Sequence, residues 1–178
     1  MLYSSRYTQP NRASFGQISH LVTEELTSIC SESKHIAVVG PARSGKSMIA
    51  NIISSRINYE HIQSDQYLES HSNKERPYAV LQRALNTPQC VISGMSVPRM
   101  LRAGLRDHYY VPDAVIIVEC NEQTLEQSHR KDLAIDVFKS NLSFHKGNMT
   151  VLNEWNDTLS KDMLIDYPII VKIDTSVY

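Results

Sequence analysis

The sequence predicts an α/β fold built on a parallel sheet, and two observations carry that expectation. Five short β-like runs, Ile36 to Val39, His61 to Ser64, Cys90 to Ser93, Ala114 to Glu119 and Ile169 to Ile173, are separated by segments with helical character, the alternation from which parallel sheets are made. The run Ala-Val-Ile-Ile-Val-Glu at 114–119 is apolar on both faces, as a strand covered by helices on either side requires, so it is expected near the centre. With 178 residues, 42% of them hydrophobic, and no shift in composition along the chain, a single domain over residues 1–178 is expected.

Taken in order, residues 1 to 15 read as an irregular arm. Ile18, Leu21, Val22, Leu26 and Ile29 then recur as an amphipathic helix ending near Cys30, so that arm and helix (1–33) precede the first strand. Asn141 to Asp166 has weak periodicity and many turn-formers, and reads as a mobile stretch. A formal charge of −1 supplies no global basic field for nucleic acid. Cys30, Cys90 and Cys120 have no metal-ligand spacing and read as buried free thiols in a reducing cytoplasm. No run approaches the eighteen or so apolar residues of a membrane span, so an intracellular protein without a membrane partner is expected.

Residues 35 to 47, His-Ile-Ala-Val-Val-Gly-Pro-Ala-Arg-Ser-Gly-Lys-Ser, join an apolar strand to the pattern G-x-x-x-x-G-K-[ST]. This is a phosphate-binding loop, a Walker A motif. Gly40 and Gly45 permit the tight turn in which backbone N–H groups of Ala42, Arg43, Ser44, Gly45, Lys46 and Ser47 wrap a phosphate. Lys46 is expected to bridge the β- and γ-phosphates and Ser47 to ligate Mg²⁺. From Met48 to Ile57 the apolar residues Ile49, Ile52, Ile53 and Ile57 fall at helical steps, so a helix N-terminus adds its partial positive charge beneath the phosphates.

Markers beyond the loop narrow the class. The chain has no Asn-Lys-x-Asp segment to read guanine and no apolar strand ending in Asp-Glu. Size, five expected strands and the loop resemble the small P-loop kinases, which include nucleoside, nucleoside-monophosphate, shikimate and gluconate kinases. The resemblance implies a P-loop NTPase three-layer sandwich with strand order 2-3-1-4-5, and ATP and Mg²⁺ as cofactors. It covers residues 34 to 174 in organisation and is specific at 40 to 47.

Asp65 follows the second β-run, at the edge where ligands sit in open α/β sheets. In alcohol-phosphorylating relatives a carboxylate at this position accepts or orients the acceptor hydroxyl, which makes Asp65 the candidate base; the alternative is a helix N-cap before Gln66-Tyr67-Leu68. Ser93 ends the third run where many relatives carry an acid that contacts magnesium-bound water. A serine hydroxyl supplies a neutral hydrogen bond there, and Ser93 joins Ser47 as a candidate of the metal shell. Gly94 reads as space for phosphates or substrate, or as a plain strand-to-loop turn.

After Pro98, Arg99, Arg102 and Arg106 fall within an arc of about 60° on a helix, with Val97, Leu101 and Leu105 on roughly the opposite side. In the resembling kinases basic residues of this region grip the acceptor, which makes Arg99 and Arg102 candidate substrate ligands, against a solvated helix face. The fourth run leads through Asn121, a helix cap, to Arg130 and Lys131, where relatives place a lid that closes over ATP; the alternative is a helix C-terminus stabilised by cations. Trp155 reads as packing, Tyr109 and Tyr110 as packing rather than stacking on substrate, and the seven histidines receive no catalytic role.

The function expected is an ATP- and Mg²⁺-dependent kinase that phosphorylates a hydroxyl or phosphate on a small nucleoside- or nucleotide-like acceptor. Lys46, Asp65 and Arg130 are its candidate catalytic residues, and the loop through Met48 holds the donor. Two alternatives stay open. One is a phage-type kinase acting on a hydroxymethylated base within DNA; the other is a regulatory module that binds nucleotide without phosphotransfer.

Overall fold

A computed structural model describes residues 4–8, 15–130 and 135–176. Six parallel strands, β1 (Ser4–Thr8), β2 (His35–Val39), β3 (Glu60–Gln63), β4 (Cys90–Ser93), β5 (Ala114–Glu119) and β6 (Ile169–Asp174), form one sheet in the order β1-β6-β5-β2-β4-β3. The five expected strands therefore stand in the order 2-3-1-4-5. The irregular arm expected at the N-terminus is corrected by β1, which pairs with β6 in the register Ser4↔Ile170 to Thr8↔Asp174. Ser-Ser-Arg-Tyr-Thr has no apolar run to announce a strand. An edge strand needs only its backbone ladder.

Alternation along β2 decides which layer each residue joins. Ile36 and Val38 enter a core with Val91, Ile116 and Val171, covered by α1 (Glu24–Ser31) and α2 (Lys46–Ile57). Ala37 and Val39 enter a second core with Ile92 and Val115, covered by α3 (Arg76–Leu85), α4 (Val97–His108) and α6 (Ile135–Lys161). The helix expected over residues 18–30 is broken. Phe15–Leu21 is a 3₁₀ turn, and α1 restarts behind Thr23, whose Oγ1 accepts from Leu26 N at 3.1 Å as an N-cap.

The mobile stretch expected from Asn141 to Asp166 is also corrected, because most of it lies in α6, a helix of 27 residues. Its buried residues Phe138, Asn148, Leu152, Trp155 and Leu159 follow helical spacing. Asn141, His145 and Asn148 occupy the middle of that stripe, so apolar periodicity fails there although the helix does not. Asn148 Nδ2 donates to Met95 O at 2.8 Å and ties α6 to the loop after β4.

Cys30 and Cys90 are buried free thiols pushed up to about 12 by burial; Cys120 is half-buried and also raised by burial. No described helix is long and apolar enough to cross a membrane.

Candidate active site

The turn between β2 and α2 is built from backbone that few sequences tolerate. Gly45 sits at φ 89° as the N-cap of α2, and Arg43 at φ 63° is a non-glycine residue in the left-handed region. A Cβ on Gly40 would stand 2.8 Å from Val118 O and 3.0 Å from Ser44 Oγ. From behind, Thr175 Oγ1 donates to Ser44 O at 2.7 Å, and from the side Arg43 Nη1 donates to Ser128 O of α5 (Glu122–Arg130) at 3.4 Å.

Lys46 begins α2, is 7% exposed, and donates from Nζ to Pro41 O at 3.2 Å. Burial pushes its ammonium down to about 8, and the Asp65 carboxylate opposes that shift without cancelling it. Ser44 Oγ is buried with no hydrogen-bond partner. A buried cation and an unpartnered hydroxyl in one glycine-shaped turn fit an anion that accepts hydrogen bonds. Ser47, half-buried on the first turn of α2, stands where a hydroxyl can reach a metal held by such an anion. Met48 is 44% exposed.

Asp65 is exposed in the short 3₁₀ turn Ser64–Tyr67, whose cap is Gln63, so Asp65 lies inside the turn rather than capping it. Its electrostatic reach to Lys46 joins this turn to the loop. Gly94 after β4 takes φ 128°, and a Cβ there would meet Ser64 Oγ at 1.8 Å. Glycine is required at this position by close approach of the turn that carries Asp65. Ser93 is fully buried, with Oγ 2.8 Å from His61 Nε2.

A second group of cations gathers where α3 and α4 begin. Arg99 is half-buried, and its Nε and Nη2 are buried without partners; its Cζ lies 4.6 Å from the centre of the Phe144 ring of α6. Arg76 is 9% exposed; it reaches Asn73 Oδ1 and His71 O but leaves Nε unpartnered. Burial lowers the Arg99 pKa, and the charges of Arg76 and Arg102 lower it further. Both arginines stand in the first turn of a helix, where the dipole disfavours a cation and favours an anion. The sequence reading missed Arg76; the signal open to it was an arginine directly before Pro77, at the wrong end of a helix for a cation.

Arg102 is exposed and, with Arg106, Trp155 and Glu154, lines a groove of about 380 Å³ between α4 and α6. Arg106 is held by Asp107 and by Tyr78 Oη at 3.0 Å. Arg130 is exposed and paired with Glu126 one turn back; Lys131 lies outside the described residues. Tyr110 Oη lies 2.7 Å from His35 Nδ1, Tyr109 is 68% exposed, and Trp155 is buried. The side of the loop that the sequence reading left to a lid is met by α5 and α6. Pro41 and Ala42 face Leu125, His129, Phe138 and Leu142 across a gap too small for water. His145 of α6 is held below its usual pKa by burial and by the Lys46 charge, which puts α6 within electrostatic reach of the loop.

Comparison with solved structures agrees with this architecture. A gluconokinase from Sinorhizobium meliloti 1021 matches with a TM-score of 0.51 at 17% identity, over 79% of this chain and 82% of that one. A YorR protein from Bacillus subtilis, solved in complex with phosphorylated GDP, gives 0.46 at 14% identity over 79% and 85% of the two chains. A shikimate kinase from Bacteroides thetaiotaomicron gives 0.44 at 13% identity over 78% and 85%. No protein-family model and no curated protein matches the sequence. The likeness to the gluconokinase is one of fold, a parallel sheet in the order 2-3-1-4-5 between two layers of helices.

Proposed function

We propose that the protein is an ATP- and Mg²⁺-dependent kinase whose acceptor is a small molecule, nucleoside- or nucleotide-like in size, that carries an anionic group. One observation supports this most: two sets of cations lack sufficient counter-charge, Lys46 in the phosphate loop, with Asp65 in electrostatic reach, and Arg76 with Arg99 at the helix starts. A protein does not bury such groups without cost, and two separate anions, donor and acceptor, would relieve both sets.

In this reading the N–H groups of residues 42–47 and the Lys46 ammonium hold the donor phosphates, and the Ser47 hydroxyl holds the metal. Bound Mg²⁺–ATP supplies the transferable phosphoryl group and spreads its charge. Arg99 and Arg76 fix the anionic end of the acceptor by forked hydrogen bonds, with Arg102 adding positive potential from the helix surface. Asp65 orients the acceptor hydroxyl and takes its proton at a carboxylate oxygen; positioning is its main contribution, because the phosphoryl-transfer transition state is loose. Arg130 contributes to charge neutralisation only if it leaves Glu126. A polymeric DNA acceptor draws no help from a chain of net charge −1.

The test is incubation of purified protein with γ-labelled ATP, magnesium and a panel of sugar acids, nucleosides, nucleoside monophosphates and hydroxymethylated DNA. Label is expected on a small anionic acceptor. Nucleotide binding with no transfer to any of them would favour the non-catalytic module.

A further inference from the structure

The groove of about 380 Å³ between α4 and α6 is left unused by this function apart from Arg102. The two helices run side by side in the same direction: Phe144 meets Arg99 at one end, and Asp162 shares the groove with Tyr109 at the other. The groove therefore takes the C-terminal parts of both helices, away from the helix start that carries Arg99, and shares no residue with the phosphate loop. Its volume falls within the roughly 300–1,000 Å³ of small-molecule sites.

Two aromatic residues line it. Trp155 is 2% exposed, and its indole Nε1 is buried with no acceptor, although a buried indole N–H ordinarily finds one. Tyr109 ends α4 at φ 52° and ψ 28°, the left-handed position that glycine usually fills, and is 68% exposed. A large ring kept in that backbone conformation and open to solvent adds little to packing, which makes it available to a ligand. Half-buried Leu105 adds an aliphatic patch.

The charged groups of the groove divide into used and unused. Arg106 is held by Asp107 and Tyr78, and Asp162 accepts from Leu164 N at 3.0 Å. Arg102 on the α4 wall and Glu154 on the α6 wall have no ion-pair partner among the described residues, each other included. Thr158 spends its hydroxyl proton on Glu154 O at 2.9 Å, which leaves its lone pairs to accept. Both helices end beside the groove, so the negative ends of two dipoles join Glu154 in favouring a cation. An anion suits Arg102, an ammonium suits Glu154 and Thr158, and a ring suits Trp155 and Tyr109. We propose that this groove binds a free aromatic α-amino acid, its carboxylate held by Arg102 with the indole N–H of Trp155, its ammonium by Glu154, and its ring by Trp155 and Tyr109. The site owes nothing to phosphoryl transfer and is expected to bind whether the phosphate loop is empty or filled.

Trp155 is the sole tryptophan of the chain, so its emission reports on this groove. Titration with L-phenylalanine should shift that emission saturably with a Kd of about 1 mM or below. Phenylpropionate, which lacks the ammonium, and phenethylamine, which lacks the carboxylate, should each bind at least about 10-fold more weakly. Glu154→Gln should weaken phenylalanine and phenethylamine roughly 5- to 10-fold and leave phenylpropionate unchanged, whereas Arg102→Gln should weaken phenylalanine and phenylpropionate and leave phenethylamine unchanged. Both residues are exposed, so both variants are expected to fold, which circular dichroism checks. The absence of a saturable shift with phenylalanine would overturn the proposal. Equal binding of all three compounds would reduce the groove to an apolar cleft, phenylpropionate binding as tightly as phenylalanine would make it an anion site, and displacement by ADP would place the amino acid at the phosphate loop; each of these also overturns it.

Discussion

The phosphate loop occupies eight consecutive residues, 40 to 47, and much of what it offers a ligand is backbone. The arginine cluster is gathered from α3 and α4 under Phe144 of α6, and what it offers is side chain. The two regions share one electrostatic property, a buried cation short of counter-charge, but differ in how it is held. Lys46 is partly offset by Asp65, whereas the charges around Arg99 are those of Arg76 and Arg102, which repel it. A site of the first kind survives wherever its glycines and helix are kept. A site of the second kind depends on three elements packing correctly, and its specificity can change without disturbing the first.

That contrast is tested most severely by Lys46→Ala, expected to lower phosphotransfer about 10²–10³-fold while acceptor binding and the melting curve persist, since Lys46 makes one hydrogen bond to Pro41 O and is penalised by burial. Steady-state kinetics and thermal melts check it; undiminished turnover in the folded variant sinks the kinase reading. Asp65→Asn is expected to lower kcat about 10- to 100-fold with ADP affinity nearly unchanged. Asp65 is exposed and caps nothing, so a variant that loses only stability would contradict this role.

On the arginine side, Arg99→Lys or Arg76→Lys keeps charge but removes the fork. Each should raise acceptor KM about 10-fold with ATP KM unchanged. Equal effects on both substrates would merge the two regions into one. The pH dependence separates them as well. Lys46 must be protonated to hold phosphate, so ADP affinity should fall as pH rises through about 8, by about 10-fold between pH 7 and pH 9. Lys46→Met should flatten that profile in calorimetry, which a contribution from the arginines would not allow. The smallest effect is expected from Phe144→Leu, which removes the ring over Arg99 and should raise acceptor KM roughly 3-fold.

Local chemistry was sufficient to read the five core strands and the loop. Val-Val-Gly-Pro-Ala-Arg-Ser-Gly-Lys-Ser carries its own turn, its own helix start and its own cation within one short stretch, so no distant contact is needed to recognise it. Asp65 was legible for a related reason, as a carboxylate just past an apolar run at the sheet edge where ligands sit. Arg99 was legible only as one of three arginines on a helix face, and periodicity did not separate it from Arg106, which is satisfied by Asp107 and Tyr78.

Tertiary structure alone decided the rest. β1 is a strand because β6 offers it an unpaired edge, not because its residues favour one. In α6 the stripe that packs onto the site is polar at Asn141, His145 and Asn148, and those partners, such as the Met95 carbonyl, come from other parts of the chain. Arg76 reads as a charge in a polar loop until α4 buries it beside Arg99. The physical reason is one of range: turn geometry and helix starts are set by neighbouring residues along the chain, whereas burial, and with it the energy of an unpaired charge, is set by what packs against it.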